Sequence, residues 1–273
     1  MVRLSIVAIV LSCLAAPIWA QSPPAQAPSR AVKPAVKKPA SRTKAAIEPV
    51  VIDHGPCRLG VIPAVGDSFV VQKIGLTVFG NEYAEVATNW GLDDLIFARV
   101  RAAAGQALPV RRIAYPPGAF EHYYHPASRL LPDPREGLPA IVSGIAANAG
   151  CERYLVITRF SGQLPGTNQR LDGIGAFKQG LGSILGHSHL FANIALTSLD
   201  GQTFATQPHN GADIVARFQE SLRLTEDPMK ILDNEYFPEP PSIAAASAVL
   251  RDRTRALVSA TVDRLLPPYL KAE

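Results

Sequence analysis

The chain has 273 residues and a formal net charge of +4, and that charge is unevenly spread: Arg3 and six cations between residues 21 and 47 outweigh it, leaving −3 for residues 48–273. A nucleic-acid-binding domain concentrates lysine and arginine on its own folded surface, so a mildly acidic folded part argues against that class. Roughly 225 residues beyond position 47 suffice for one large domain.

Residues 1–20, MVRLSIVAIVLSCLAAPIWA, place one arginine before an apolar run that ends in Ile18, Trp19 and Ala20. This is the pattern of a secretory signal peptide cleaved after Ala20, and Pro17 with the small residue at the end suits processing. The alternative is an uncleaved inner-membrane anchor over 4–20, at the short limit of what can span. The expected location is periplasmic or secreted. Residues 21–47 hold five prolines, many alanines and the cations Arg30, Lys33, Lys37, Lys38, Arg42 and Lys44, with no acid. Such a segment cannot bury a core and is expected to be a disordered arm. Once Cys13 leaves with the signal, Cys57 and Cys151 remain, each directly before a predicted strand, and they can bridge if those strands are neighbours.

Within the folded part, RLGVIPAV (58–65) and SFVVQKIGLTVF (68–79) are apolar runs separated by Gly66-Asp67 and read as a hairpin. GLDDLIFARVRAAAG (91–105) places Leu92, Leu95, Ile96 and Val100 on one helical face, with acids in the first turn and Gly105 as a stop. A short strand follows at 109–115, then an irregular loop at 119–136 rich in proline, tyrosine and histidine. LPAIVSGIAANAG (138–150) reads as a helix and ERYLVITRFSG (152–162) as the strongest strand. The glycine-rich insert spans 163–190, and FANIALTSLDGQTFAT (191–206) carries an Asp200-Gly201 hairpin signal. Asn210 can cap a helix over 211–224, and Ser242 the last helix, which runs to about Leu266. The order β-β-α-β-α-β-(insert)-β-β-α-α predicts a single α/β domain over 48–273, one mixed sheet flanked by helices.

LGVIPA (59–64), the helix 91–104 leading into VRRIAY, AANAGCERYLVITRFSG (146–162) and ANIALTSLDGQTFA (192–205) together resemble, in arrangement more than identity, a group of bacterial envelope domains. These are the amino-terminal domain of TolB, the curli secretion protein CsgG, and the peptidoglycan-synthase-activating lipoproteins. The resemblance covers about half of the folded part and implies binding to, or assembly with, other envelope proteins rather than catalysis. The extra strand 68–79, the loop 119–136 and the insert depart from it. VGDSFVVQKIGLTVFGNE (65–82) resembles the hallmark of a narrower secreted family, from which no function carries over.

The insert LDGIGAFKQGLGSILGHSHLF (171–191) invites a phosphate or metal reading. Gly173 and Gly175 are followed by Lys178 where a dinucleotide fingerprint needs glycine, and Leu181 stands where a P-loop needs lysine. Nucleotide binding is therefore not expected. Ser183 is not set in a nucleophile elbow, because its next glycine is one place too far. His187 and His189, two apart on a strand, share a face and could chelate with His125 or His209, but no carboxylate or cysteine accompanies the pair, and they read as polar histidines beside a strand. The insert also repeats apolar residues at helical spacing: Ile174, Phe177, Leu181, and Ile184 or Leu185. Gly180 and Gly182 each cost about 1 kcal/mol in such a helix, so it would order only when docked, on its own domain, a protein partner or a lipid interface.

The other candidate is the loop cluster Glu121, His122, Tyr123, Tyr124 and His125, able to bind a sugar or peptide or simply to pack. The resulting expectation is a non-enzymatic envelope protein that binds or scaffolds another envelope component, without cofactor, nucleotide or nucleic acid. The rival is a cell-wall-directed hydrolase or ligand-binding protein using the 119–136 loop. Deleting residues 21–47 is expected to leave thermal melting unchanged; a clear loss of stability would show that the arm is part of the fold.

Overall fold

The computed structural model describes residues 55–75, 80–127, 137–164, 168–179, 188–207 and 227–270. The leader, the arm and the helix predicted over 211–224 with its Asn210 cap lie outside them. In chain order the strands and helices are β1 (Cys57–Pro63), β2 (Ser68–Ile74), β3 (Glu82–Ala87), α1 (Leu92–Ala104), β4 (Val110–Arg112), α2 (Glu121–Tyr124), α3 (Leu138–Ala146), β5 (Cys151–Arg159), β6 (Ser161–Gln163), β7 (Arg170–Asp172), β8 (Ile174–Gln179), β9 (Ser188–Ala192), β10 (Ile194–Asp200), β11 (Ile231–Leu232), α4 (Ala248–Leu265) and α5 (Pro267–Leu270). Mixed sheets flanked by helices make this an α/β fold, as the sequence pattern predicts. The expected single sheet is corrected: the strands divide among a four-stranded sheet β10-β5-β1-β4, a five-stranded sheet β11-β9-β8-β2-β3, and a ribbon β6-β7.

β1 lies parallel to both β4 and β5. A central parallel strand is covered on both faces, which explains its continuous apolar run. Leu59 and Val61 face the main core with Leu155 and Ile157 of β5, Ile96 and Val100 of α1, and Leu257 and Val262 of α4. Ile62 faces the other way, toward Tyr154 and Val156, with Leu138 and Val142 of α3. Gly60 shares that second face, where a Cβ would stand 2.5 Å from the Tyr154 ring, so glycine is what admits the tyrosine.

The hairpin expected from residues 58–79 does not form. β2 leaves β1 for the five-stranded sheet, where it runs parallel to β8 and antiparallel to β3. The link between them is tied instead to the start of α1: Asp93 Oδ1 accepts from the Val65 and Gly66 amides at 3.0 and 3.1 Å, and Asp67 Oδ1 accepts from the Leu92 amide at 3.1 Å. Gly66, at φ +70°, supplies the left-handed residue of the bend. The Gly-Asp punctuation thus turns the chain toward a helix rather than back on itself.

The insert is also corrected. Residues 174–179 form a strand rather than a helix, and Ile174 and Phe177, three apart, fall on opposite faces of the sheet, as a period of two requires. Ile174 joins the main core, while Phe177 joins a satellite cluster with Val70, Ile74 and Phe191 beneath Leu164 and Leu171 of the ribbon. Both are 2% exposed, so neither offers a docking surface. Leu181, Ile184, Leu185 and His187 lie outside the described residues. α4 is capped by Ser247, whose hydroxyl accepts from the Leu250 amide at 3.3 Å; Ser242 sits instead in the 3-10 turn Pro241–Ala246, which begins at the second of the two prolines.

Cys57 and Cys151 form the expected bridge, being directly opposed in the parallel register of β1 and β5 with Cα atoms 4.5 Å apart. The bond closes a sequence separation of 94 residues at the amino ends of two central strands. Constraint of so long a loop stabilises a fold by about 2–4 kcal/mol. Reduction should therefore lower the melting temperature of the folded part by several degrees, measured by calorimetry with and without reductant; an unchanged melting temperature would contradict this.

Candidate functional site

The carboxy ends of β1 and β5 open onto the place where the four- and five-stranded sheets meet. The chain passes there from the four-stranded sheet into the ribbon at Phe160 and from the five-stranded sheet back to the four-stranded sheet at Asn193. The Asn193 amide donates to the Gly173 carbonyl at 2.8 Å, its side chain donates to the Leu171 carbonyl at 2.7 Å, and the Phe160 amide donates to the Asn193 carbonyl at 3.0 Å. These bonds fix the ribbon over β2 and β8. They leave a cleft of about 340 Å³ lined by Val70, by Tyr83 and Glu85 of β3, by Tyr123, Tyr124 and His125, by Arg159, Phe160 and Ser161, and by Asp172 and Gly173.

Arg159, the last residue of β5, organises this cleft. Its guanidinium lies 4.6 Å from the Tyr124 ring centroid, Nη1 donates to Glu85 Oε1 at 2.7 Å, and the same nitrogen donates to the Ser68 hydroxyl. The side chain is only 18% exposed. Stacking on an aromatic face and charge-assisted hydrogen bonding both strengthen as water is withdrawn. Gly173, at φ +68°, stands where a Cβ would come within 3.0 Å of Arg159 Cδ, so the residue opposite the arginine stem must lack a side chain. Tyr124 is itself held: its hydroxyl donates to the Ala64 carbonyl and accepts from the Arg159 amide at 3.3 Å. Tyr123 meets Tyr124 edge-on with centroids 5.3 Å apart, and Glu121 reaches His125 at 3.7 Å on the rim.

Burial alone would raise the Glu85 carboxyl, but hydrogen bonds with Ser68 and Arg159 and the guanidinium charge outweigh it, so its pKa falls below the usual glutamate value. Burial pushes the Tyr124 phenol upward despite the Arg159 amide and charge. The Tyr83 phenol also rises, first through burial and then through the Glu85 and Asp172 carboxylates. Behind the cleft, burial raises the Asp93 carboxyl against hydrogen bonds from Tyr115, Gly66 and Val65, and burial beside Asp93 raises the Tyr115 phenol far above its ordinary range. A general acid or base works best with a pKa near the operating pH. Glu85 and Tyr124, the groups bonded to Arg159, are moved away from neutral pH, whereas Asp93 behind them is moved toward it.

Of the loop residues expected from the sequence, Tyr123, Tyr124 and His125 line the cleft and Glu121 stands beside it; His122 is in the same short helix α2 and does not line it. His189 is stacked on Phe177, with centroids 5.2 Å apart, and is not among the residues that line the cleft with His125. Among the described residues no group of three His, Cys, Asp or Glu side chains is placed to hold a metal. Cys57 and Cys151 close the far ends of β1 and β5. Arg159, Tyr83, Glu85 and Asp172 escaped the sequence reading. The signal for Arg159 was a lone cation ending an apolar run in a central strand, and ligands favour the carboxy ends of such strands. A shallower groove between α1 and α4, where Arg99 pairs with Asp263, is larger but gathers fewer polar groups.

Comparison with family models, with curated proteins and with solved structures found no match to the chain.

The raised phenols have a consequence in alkali. A tyrosine whose native pKa lies above its unfolded value, about 10, stabilises the fold fully below that pH and progressively less as pH rises through it. Absorbance titration should show Tyr115 and Tyr124 ionising only as the protein unfolds, and Tyr124→Phe should remove part of that late component. Ionisation of all tyrosines near pH 10 (the ordinary value) with the fold intact would contradict the geometry.

Proposed function

We propose that this chain is a non-enzymatic binding protein of the bacterial cell envelope, which engages another envelope component through the cleft between its two sheets. The observation that carries this reading is the Arg159 arrangement: a largely buried cation locked by Tyr124, Glu85 and Ser68 at the carboxy ends of parallel strands, in a cleft with three tyrosines and the Asp172 carboxylate, which makes no ion pair among the described residues. Preformed clefts of a few hundred Å³ with aromatic walls and few convergent polar groups are where proteins hold ligands. Export is supported by the apolar leader and by the buried Cys57–Cys151 bond, which suits an oxidising compartment. Tyr123, Tyr124 and His125 of the predicted loop enter the reading as part of a binding wall, and the shifts of Glu85 and Tyr124 away from neutral pH favour recognition over acid–base work there.

The test is photo-crosslinking in cells, with a photoreactive residue at position 83 or 123, and at position 243, exposed elsewhere, as the control. Recovery of one and the same envelope component from 83 and 123, and not from 243, is the expected outcome. Indiscriminate capture from all three positions, or intramolecular products alone, would count against the cleft.

A further inference from the structure

Resting on that reading of the cleft, a second feature names the form of its ligand. A sheet edge left open is a template for another strand, and proteins ordinarily cover or shorten such edges. Three of the four outer strands of the two larger sheets are managed in that way. β4 has three residues and β11 two. β10 has its outer side occupied: the Asp200 amide donates to the Ala205 carbonyl, the Gln207 amide to the Ser198 carbonyl, and the Tyr269 hydroxyl to the Leu196 carbonyl. β3 is the exception, with six residues, no proline, and pairing to β2 alone among the described residues.

The ladder shows which groups β3 turns outward. The Thr88 amide donates to the Asp67 carbonyl at 2.8 Å, one step beyond the Ala87 and Ser68 pair. Hydrogen-bonded pairs alternate along an antiparallel ladder, so Glu82, Ala84 and Val86 exchange bonds with β2, while Tyr83, Glu85 and Ala87 direct their amides and carbonyls away from it. Tyr83 and Glu85 are also the β3 residues whose side chains line the cleft. A residue set opposite either of them on an added strand projects its side chain onto that same face.

We propose that β3 is a docking edge that takes an extended segment of a partner polypeptide, with basic side chains at alternate positions, as an added strand along the cleft. Charge selects the basic character. Tyr83, 54% exposed, lines the cleft with Glu85, which Arg159 already pairs, and with Asp172, which makes no ion pair among the described residues. A lysine or arginine there meets an aromatic face and a carboxylate together. Main-chain pairing supplies affinity and alternate side chains supply selectivity, as in strand addition generally.

The test is an NMR titration of the full chain with a blocked octapeptide alternating lysine and threonine, beside the same peptide with glutamate for lysine and a third methylated on every backbone nitrogen. The lysine peptide is expected to slow amide exchange at Tyr83, Glu85 and Ala87 by about tenfold or more, and the other two are expected not to. Ala87→Pro removes an outward amide without touching the β2 ladder, and should abolish that protection while the melting temperature stays near the parent value. Tyr83→Ala keeps the edge intact and should weaken binding while leaving protection at saturation, which serves should the proline variant melt early. Shifts at Tyr123 and His125 without protection of β3 would overturn strand addition and leave the cleft reading standing. Equal binding of the methylated peptide, or no perturbation by any peptide, would also overturn it, while cellular capture from positions 83 and 123 decides the cleft reading separately.

Discussion

Much of this molecule's organisation depends on where one guanidinium is held. β5 is the strand that both sheets need: it pairs with β1 and β10 in the four-stranded sheet, and its continuation through Phe160 into β6 carries the chain to the ribbon over the five-stranded sheet. Arg159 stands at that crossing and answers to both sides, to Tyr124 at the end of α2 and to Ser68 and Glu85 of β2 and β3. A lysine could not do this, since a single ammonium lacks the planar face that stacks on Tyr124 while its edge bonds Glu85 and Ser68. Burying such a charge is costly unless it is fully bonded, so the partners must be in place together. The cleft is the space that this requirement leaves beside them.

The two ends of the central parallel strands consequently serve different purposes. At the amino ends Cys57 and Cys151 are covalently joined and buried, and Tyr154 packs over the missing side chain of Gly60. At the carboxy ends nothing is joined covalently; hydrogen bonds accepted by Asp93 and donated by Tyr115, Tyr124 and Asn193 position the loops. A braced end lets the open end carry polar groups whose mutual bonding is incomplete, as a binding surface requires. The edge of β3 continues that surface along the five-stranded sheet.

How much of this was legible in the sequence depended on whether a signal was local. The stripe Leu92, Ile96 and Val100 repeats at the period of its own helix and predicts α1 closely. Cys57 and Cys151 each begin an apolar run, and parallel neighbours place them opposite one another. Tyr123, Tyr124 and His125 stood out by composition alone. Pairing between strands is not a local property, and there the reading went astray. The Gly66-Asp67 pair reads as a hairpin signal, while Asp67 accepts from the Leu92 amide at the start of α1 and Asp93 of α1 accepts from the Val65 and Gly66 amides. Ile174 and Phe177 satisfy helical spacing by coincidence, their glycine neighbours allowing close strand approach instead: a Cβ on Gly175 would lie 2.1 Å from the Val70 carbonyl oxygen. β3, written EYAEVA, looked featureless because it covers core with one face and lines a polar cleft with the other.

The central claim is that Arg159 and Glu85 act as one unit at the junction of the sheets. A double-mutant cycle of Arg159→Met and Glu85→Gln, read by urea unfolding at neutral pH, tests it most directly. The two substitutions should be strongly non-additive, with a coupling energy of about 1–3 kcal/mol. Effects that add to within about 0.5 kcal/mol would contradict the account, leaving the pair as an incidental surface contact.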